Sequence, residues 1–382
     1  MDSTSTLRRP ATGGIPGTIH LFHHTLARGG GMERYAATLA GGFRELGHKV
    51  VFHARRLDSA QAAAWQVEPV SIRICNFPRK LRDYRFYRAV RKQLATSTLD
   101  GIQVALWRVP VRDLMICSGT HRGYLRQAGR RMGFFDWLQV WIEQKAYDSA
   151  RFVISHSPLC SGELRDLYHV PEGRILMTYM PIEANFAPPA APQTRVLARR
   201  KLRLPEDKVV FLFPSTGHSR KGLKPICEAL KNLGAEVVLA VAGKAPKGQN
   251  APYVHYLGYV DDMVAAYHAA DFAILGSNYE PFGLVGPESL LCGTRIVFEK
   301  RIGCLAAINP AYVTTFSVDD LESIRQAARQ SIDLARKGQH HISNPADALT
   351  YDTSPLSHAR ELVRVATQSS PDPQLLGASP NS

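Results

Sequence analysis

Short, continuous apolar segments alternate with stretches of helical periodicity along this chain, and the alternation occurs twice. Apolar runs of this kind, separated by helices, are typical of a parallel sheet whose two faces are covered by the helices. The segment from Glu183 to Pro192 separates the two series and contains three prolines, which continue neither a helix nor a central strand. The sequence therefore predicts two doubly wound, Rossmann-like α/β domains that face a central cleft.

The first series predicts an N-terminal domain over residues 17–182. We expect its strands near Ile19 to His23, Lys49 to His53, Ser71 to Cys75, Ile102 to Leu106, Leu114 to Cys117 and Phe152 to Ser155. We expect its helices near Met32 to Leu46, Asp83 to Leu94, Phe134 to Ala150 and Pro158 to Tyr168.

The second series predicts a C-terminal domain over residues 193–340. We expect its strands near Val209 to Phe213, Val237 to Ala242, Val254 to Leu257, Phe272 to Leu275, Arg295 to Phe298 and Tyr312 to Phe316. We expect its helices near Leu223 to Leu233, Asp262 to Ala269, Leu284 to Leu291 and Val318 to Arg336. A last helix within residues 354–368 is expected to pack back on the first domain, and residues 1–16 and 369–382 are expected to be disordered tails.

Composition excludes several other classes of protein. The 382 residues suffice for two cores, and 45% hydrophobic with 21% charged residues is close to the globular average. No apolar run reaches the roughly 20 residues of a membrane-spanning helix, and Met1 to Pro10 has no apolar signal core. The six cysteines are widely spaced without a C-x-x-C pair, so we expect free thiols rather than disulfides or zinc. These features predict a cytosolic protein.

Positive charge is concentrated in the first half of the chain. Residues 1–185 contain 26 Lys and Arg against 15 Asp and Glu, whereas the remaining residues carry a net charge of only +3. The charge is densest over Arg79 to Lys92 and again around Arg122 to Arg131. Such a surface attracts phosphate on nucleic acid, on anionic lipid or on a phosphorylated saccharide.

A glycine-rich turn joins the first predicted strand to the first helix, in the sequence Arg28-Gly29-Gly30-Gly31-Met32-Glu33-Arg34. Glycines at such a turn allow an anion to approach the backbone, and the helix N-terminus favours negative charge, so phosphate binding is the natural hypothesis. The dinucleotide motif of dehydrogenases would need glycine at Arg34 and usually an acid where Arg55 and Arg56 stand. Hydride transfer is therefore a weak alternative, and a P-loop motif does not occur.

Two polar segments of the second half follow predicted strands. In Glu280-Pro281-Phe282-Gly283-Leu284-Val285-Gly286-Pro287-Glu288, a Pro and Gly turn places both carboxylates towards one cleft. In the segment from Phe211 to Leu223, Arg220 and Lys221 lie at a helix start, where cations suit a diphosphate ligand.

These motifs carry a resemblance to a known family. Gly-Gly-Met-Glu-Arg at 30–34, Arg-Lys-Gly-Leu at 220–223 and Glu-Pro-Phe-Gly-Leu-x-x-x-Glu at 280–288 resemble the family 4 retaining glycosyltransferases, which have two Rossmann-like domains in the GT-B architecture. The resemblance covers roughly residues 17–368, and the spaced acid pair is its specific part. The segment Ser118 to Leu125 is similar to the one that carries the active-site histidine in the lipopolysaccharide-core glucosyltransferase branch.

The resemblance implies transfer of a sugar from a nucleotide diphosphate, by default a UDP-sugar, to a saccharide or lipid-linked saccharide in the synthesis of lipopolysaccharide or another cell-envelope glycan. It assigns the first domain to the acceptor and the second to the donor. His121, Lys221 and Glu280 would be catalytic, with Lys221 neutralising the departing diphosphate and His121 near the donor sugar. The implied donor-binding residues are Gly30, Gly31, Arg220, Gly258, Tyr259, Phe282, Gly283, Leu284 and Glu288, with Glu288 on the ribose and Gly258 and Tyr259 near the base.

Two features bear on how the diphosphate is held. Many family members carry an arginine six residues before the phosphate lysine, and this chain has Ser215 there, so Arg220 is a candidate replacement. The chain contains no Asp-x-Asp pair, which usually binds a catalytic divalent cation. We therefore expect neither a catalytic metal nor another cofactor, and Lys221 and helix dipoles would do that work.

The segment Met132 to Trp141 combines large aromatics with the neighbouring Arg130 and Arg131, as an element at a membrane interface requires. We expect Phe134 at the surface and Trp141 in the core, and a peripheral attachment to the anionic inner leaflet of the cytoplasmic membrane. A nucleic-acid binder is the competing class for the basic half, but the chain has no recognition helix, zinc finger or aromatic platform, so no nucleic-acid partner is expected. A non-catalytic sugar-nucleotide-binding protein is the other alternative.

Overall fold

The computed structural model describes residues 17–27, 29–215, 217–245 and 251–368. The two predicted disordered tails, 1–16 and 369–382, lie outside the described residues. Within the described residues, no helix combines the length and the apolar character needed to cross a bilayer.

The first domain is built on a seven-stranded parallel sheet in the order β5-β3-β1-β6-β7-β8-β9. The central strand β1 pairs in register with a strand on either side, so that Ile19 lies opposite both Val50 and Ile102. A two-stranded sheet, β2 with β4, extends the ends of β1 and β3. The strands are β1 Thr18–Phe22, β2 Thr25–Leu26, β3 Lys49–Ala54, β4 Arg56–Leu57, β5 Glu68–Ser71, β6 Ile102–Ala105, β7 Leu114–Cys117, β8 Phe152–Ser155 and β9 Ile175–Met177.

Six helices accompany this sheet: α1 Gly31–Glu45, α2 Ser59–Trp65, α3 Arg82–Thr96, α4 His121–Gln127, α5 Phe134–Ser149 and α6 Pro158–Tyr168. Side-chain caps fix where several of them begin. Asp58 accepts from the backbone of α2, Thr120 from that of α4 and Ser157 from that of α6.

The second domain is a six-stranded parallel sheet in the order β12-β11-β10-β13-β14-β15. Every residue of β11 is buried, because helices cover both faces of the sheet. The strands are β10 Val209–Pro214, β11 Val237–Ala242, β12 Val254–Tyr256, β13 Phe272–Leu275, β14 Arg295–Glu299 and β15 Val313–Phe316. The helices are α7 Gln193–Lys201, α8 Leu223–Leu230, α9 Met263–Ala269, α10 Val285–Leu291 and α11 Leu321–Arg336.

The last helix, α12 Pro355–Thr367, packs against α1 of the first domain. The two helices approach closely at Gly42, where a Cβ atom would lie 2.7 Å from the carbonyl oxygen of Pro355. Beside this crossing, Tyr35 Oη and His358 Nε2 form a buried hydrogen bond of 2.8 Å. The chain therefore passes through the second domain and returns to the first.

The predicted strands and helices are confirmed to within a few residues, with one exception. The predicted strand Ser71 to Cys75 is wrong, because β5 lies at Glu68–Ser71, where its backbone pairs with β3. Three short helices, α2, α4 and α7, the edge strand β9 and the two-residue strands β2 and β4 were not predicted. These elements have too few apolar positions to show a period, and tertiary contacts decide their structure.

Candidate active site

The carboxyl ends of the two sheets face each other across a cleft of about 610 Å³. The loops that enter α1 and α4 in the first domain and those that enter α8 and α10 in the second contribute to its lining, together with residues that follow β6 and β8. This is the position at which open parallel sheets bind ligands.

Nine of the predicted site residues line this cleft, namely Gly30, Gly31, His121, Arg220, Lys221, Glu280, Phe282, Gly283 and Leu284. Three do not. Glu288 lies behind the cleft wall in the first turn of α10, where it lines a smaller cavity with Arg34 and Leu284. Gly258 and Tyr259 follow β12, and the side chain of Tyr259 is largely exposed.

Glu280 is held by two donors at the end of the loop after β13. Arg220 Nη1 lies 3.2 Å from Glu280 Oε2, and Ser277 Oγ donates to the same oxygen at 3.0 Å. The adjacent turn requires glycine at position 283, where φ is +95°. The carboxylate is therefore fixed beside the two cations of the β10–α8 loop.

Lys221 is a largely buried cation at the cleft floor, with its Nζ 3.5 Å from the carbonyl oxygen of Pro214. Burial lowers the pKa of Lys221 below 10.5, Glu280 opposes that shift, and Arg220 adds to it. The following residue, Gly222, has a φ of +78° and contacts the Gly276 carbonyl so closely that a Cβ atom would clash. An anionic ligand beside Lys221 would raise this pKa again, so the arrangement suits the binding of an anion.

Glu288 is buried, and both of its oxygens have partners. Arg34 Nη2 lies 2.6 Å from Oε1, and Tyr267 Oη donates to Oε2 at 2.9 Å. Burial raises the pKa of Glu288, whereas Arg34 and Tyr267 oppose the rise. Since Arg34 belongs to α1, this ion pair joins the two domains. Arg34 was predicted only as part of the glycine turn and not as a partner of Glu288.

His121 is the first residue of α4, and its ring is oriented by α5. His121 Nε2 lies 2.8 Å from Asp136 Oδ1, and the other oxygen of Asp136 accepts from the backbone N–H of Gly133 at 3.0 Å. The Gly133 bond, followed by the His121 bond, lowers the pKa of Asp136. Asp136 was not among the predicted site residues, although an acid in a first helical turn after glycine is a capping signal.

A buried acid, Glu143, binds the backbone at His121. Glu143 Oε2 accepts from the His121 N–H at 2.8 Å and also from Tyr168 Oη. Its other oxygen accepts from Arg108 Nε at 2.6 Å, and this pairing raises the pKa of Arg108 against the effect of burial. The contact between Glu143 of α5 and the backbone of α4 depends on how the two helices pack, so Glu143 could not be predicted from the sequence.

A second link between the domains lies beside His121. Tyr279 Oη accepts from the backbone N–H of Thr120 at 2.8 Å and donates to Glu163 Oε2 at 2.7 Å. Thr120 Oγ1 donates to the same carboxylate oxygen at 2.7 Å. Together with the Arg34–Glu288 pair, these bonds join the two domains beside the cleft.

Two parallel Rossmann-like sheets with a cleft between their carboxyl ends define the GT-B class of glycosyltransferases. The chain belongs to glycosyltransferase family 4. Residues 29–186 match the family described as Glycosyltransferase Family 4, and residues 195–344 match Glycosyl transferases group 1. The matches favour neither a nucleic-acid binder nor a dehydrogenase.

Two curated relatives illustrate the range of similarity. A probable transglycosylase of Burkholderia thailandensis is 37% identical over 361 residues, which cover 93% of this chain and 98% of the relative. A D-inositol 3-phosphate glycosyltransferase of Thermobispora bispora is 28% identical over 195 residues, or 45% of each chain.

Solved structures share the architecture at low sequence identity. WaaG, a glycosyltransferase involved in lipopolysaccharide biosynthesis, has a TM-score of 0.77 and 17% identity, with coverage of 92% of this chain and 100% of WaaG. Anabaena Alr3699/HepE in complex with UDP-glucose has a TM-score of 0.67 and 15% identity, with coverage of 92% and 97%. At these identities the likeness concerns the fold.

Proposed function

We propose that this glycosyltransferase transfers a sugar, with retention of anomeric configuration, from a nucleotide diphosphate to a saccharide or lipid-linked saccharide acceptor. The proposal rests on one observation above all: Lys221, Glu280 and His121, contributed by both domains, line the same cleft. A UDP-sugar is the first donor to test, since a protein of the same fold binds UDP-glucose. We assign the product to cell-envelope glycan synthesis, of which lipopolysaccharide is the first candidate.

In this proposal the diphosphate lies between the two cations and two sets of backbone amides. Lys221 and Arg220 supply fixed positive charge as the leaving group acquires negative charge. The glycine turn at Gly30 and Gly31 approaches from the first domain, and the amides of residues 282–284 approach from the second. Ser215 stands where many relatives have arginine, and Arg220, which already contacts Glu280, takes over that charge.

The sugar lies between Glu280 and His121. Glu280 accepts from sugar hydroxyls, and His121, oriented by Asp136, faces the anomeric carbon, where positive charge develops in an oxocarbenium-like transition state. The ribose hydroxyls donate to the Glu288 oxygen that accepts from Arg34 in this structure. The base lies near Gly258 and Tyr259. The sequence contains no Asp-x-Asp pair of the kind that usually binds a metal on the diphosphate, and in this proposal these residues act without a metal.

The acceptor approaches over the basic first domain, and we propose that an anionic membrane surface presents it. Phe134 and Trp137 at the start of α5 are 69% and 52% exposed, which a soluble surface rarely shows for adjacent aromatics. They border a groove of about 800 Å³ whose rim includes Arg73, Arg85 and Arg88. Trp141, expected in the core, is partly buried: it packs edge-on against Tyr87 and also lines this groove.

A panel of nucleotide sugars, screened by ligand-induced thermal stabilisation, tests the donor assignment. The proposal predicts that one nucleotide sugar raises the melting temperature more than its free nucleotide does. Lys221→Ala should then bind the same donor and transfer about a hundredfold more slowly, since it loses one charge that acts on the leaving group. A Lys221→Ala variant with unchanged turnover would contradict the role given to Lys221. Wild-type protein that binds the donor but transfers no sugar would favour a protein that binds sugar nucleotides without catalysis.

A further inference from the structure

Three potential metal ligands converge at the rim of the donor cleft, outside the groups that the transfer reaction uses. His23 and His24 follow the end of β1, and Glu33 lies in the first turn of α1. Each offers one ligand atom, and the three atoms lie within 4.8 Å of one another. A bend at His24 brings the two rings to the same side of the chain, with their centroids 4.4 Å apart.

The orientation of His23 leaves a nitrogen lone pair without a partner. The residue is fully buried, and Nδ1 lies 2.7 Å from the carbonyl oxygen of Thr25, which requires Nδ1 to carry the proton. Nε2 is then an acceptor, and it is buried with no hydrogen-bond partner among the described residues. Metal-bound histidines usually have this arrangement: one ring nitrogen donates its N–H to a backbone carbonyl, and the unprotonated nitrogen binds the metal.

His24 Nδ1 is also buried and has no hydrogen-bond partner among the described residues. Trp107 packs against both rings, with centroids 4.1 Å from His24 and 5.7 Å from His23. Its indole N–H can only donate, and it also has no partner among the described residues. Buried polar atoms of this kind are rare in proteins and call for a ligand or an ordered water.

Glu33 completes the set by reaching back over the glycine turn. A Cβ atom on Gly29 would lie 2.8 Å from Glu33 Cδ, so glycine at that position makes room for the carboxylate. Two imidazoles and one carboxylate are the donor set of many zinc sites, with a fourth position left open.

We propose that His23, His24 and Glu33 bind a divalent transition-metal ion, zinc above all, which fastens the glycine turn to the end of β1. Two imidazole donors favour zinc over Mg²⁺, which prefers oxygen ligands. Arg55, Arg82 and Arg108 act electrostatically on His24 and oppose any cation there, so only an ion with a strong preference for imidazole should bind. His24 and Glu33 also line the donor cleft, so the site adjoins it, but we assign the metal no part in the transfer step.

The cluster of Asp271, His340 and His341 provides a contrast within the same chain. Its three ligand atoms are equally close together. However, Asp271 Oδ2 accepts from Arg199 at 2.6 Å, and Oδ1 accepts from Arg195 and lies 3.1 Å from His340 Nε2. The carboxylate therefore already has its partners, and we expect no metal at that cluster.

The test is a zinc titration of the full chain after removal of bound metal with a chelator, read by competition with a chromogenic indicator and by thermal unfolding. Wild-type protein should bind one equivalent of Zn²⁺ and melt at a higher temperature with it, whereas Mg²⁺ should do neither. Glu33→Gln, which keeps the side-chain shape, and His24→Phe, which keeps the packing on Trp107, should each weaken binding at least about tenfold. The matched control His341→Gln should bind zinc as the wild type does.

The proposal is overturned if wild-type protein binds no zinc, in which case water alone satisfies the histidines. It is also overturned if Glu33→Gln binds zinc normally, or if the His341→Gln control abolishes binding. Should His24→Phe fail to fold, Glu33→Gln decides, since Glu33 lies on a partly exposed helical turn. None of these readouts requires a sugar donor, so the result is independent of the transferase proposal.

Discussion

Arg34 of the first domain and Glu288 of the second form an ion pair across the cleft, with Arg34 Nη2 2.6 Å from Glu288 Oε1. The carboxylate is buried, whereas the arginine side chain is 33% exposed. In the proposed function the donor ribose contacts Glu288, so we propose that donor binding and this contact between the domains influence each other. Removal of either partner should therefore affect both stability and donor binding.

Glu288→Gln should lower the free energy of unfolding by about 1–3 kcal/mol, because Arg34 loses its charged partner while water screens part of the loss. Donor affinity should fall in the same variant. Denaturant titration and donor calorimetry measure the two effects. Glu68→Gln is the matched control, since it breaks an exposed pair with Lys49 and should change stability by less than about 1 kcal/mol. Equal stability of the two variants would contradict the structural role of the pair.

Asp136→Asn should reduce kcat by about tenfold to a hundredfold and leave the donor dissociation constant unchanged. Asp136 orients His121 through a 2.8 Å bond and does not itself line the cleft, so its loss misplaces the histidine without removing a donor contact. Steady-state kinetics and calorimetry separate the two quantities. Asp148→Asn, at the other end of α5, is the control and should behave as wild type. A loss confined to donor binding would argue against this assignment.

Donor binding should weaken with rising pH, and at a lower pH than a lysine of ordinary pKa would cause. Burial lowers the pKa of Lys221 in the free protein, so the positive charge that holds the diphosphate is lost as pH rises through this lowered value. Binding of the anion should raise the pKa again and take up a proton, which calorimetry in buffers of different ionisation enthalpy detects. Lys221→Arg should remove the pH dependence in this range. Affinity that stays constant up to pH 10.5 in wild type would contradict the prediction.

Sugar transfer should continue in excess chelator, because the proposed mechanism neutralises the diphosphate with Lys221 and Arg220 rather than with a carboxylate-bound metal. Chelation should lower the melting temperature only through the zinc site proposed above. Transfer assays with and without Mg²⁺ or Mn²⁺ provide the measurement. Strict dependence on either ion would count against the role given to Lys221.

Vesicles that contain anionic lipid should sediment the protein, whereas neutral vesicles should not, because the basic half of the chain supplies the attraction. Phe134→Ser combined with Trp137→Ser should reduce binding by removing apolar contact at the interface. Leu197→Ser is the control, since Leu197 is also highly exposed but belongs to α7 of the second domain. Equal binding to neutral vesicles would contradict the electrostatic account.

The sequence was sufficient to predict the parts of this protein that depend on local chemistry. Apolar runs located most strands, and the turn at Pro281 and Gly283 located the loop that carries Glu280. The glycine turn at Gly30 and the cations at Arg220 and Lys221 could be placed in one cleft, because parallel sheets bind ligands at their carboxyl ends.

The contacts that hold the cleft together could not be predicted in the same way. The bonds of Asp136 to His121 and of Tyr279 to Thr120 join segments that only the packing of helices and domains brings together. The pairing of Arg34 with Glu288 likewise depends on how the two domains close. No local periodicity or turn signal reports such distances, so a single sequence leaves them open.

The most direct test of the central claim is the anomeric configuration of the sugar released when the enzyme slowly hydrolyses its donor without an acceptor, followed by NMR before mutarotation. An α-linked donor should release the α anomer first, since the proposed arrangement of Glu280, His121 and Lys221 keeps the incoming and leaving groups on one face of the sugar. Initial release of the β anomer would contradict the retaining mechanism and the roles given to these three residues.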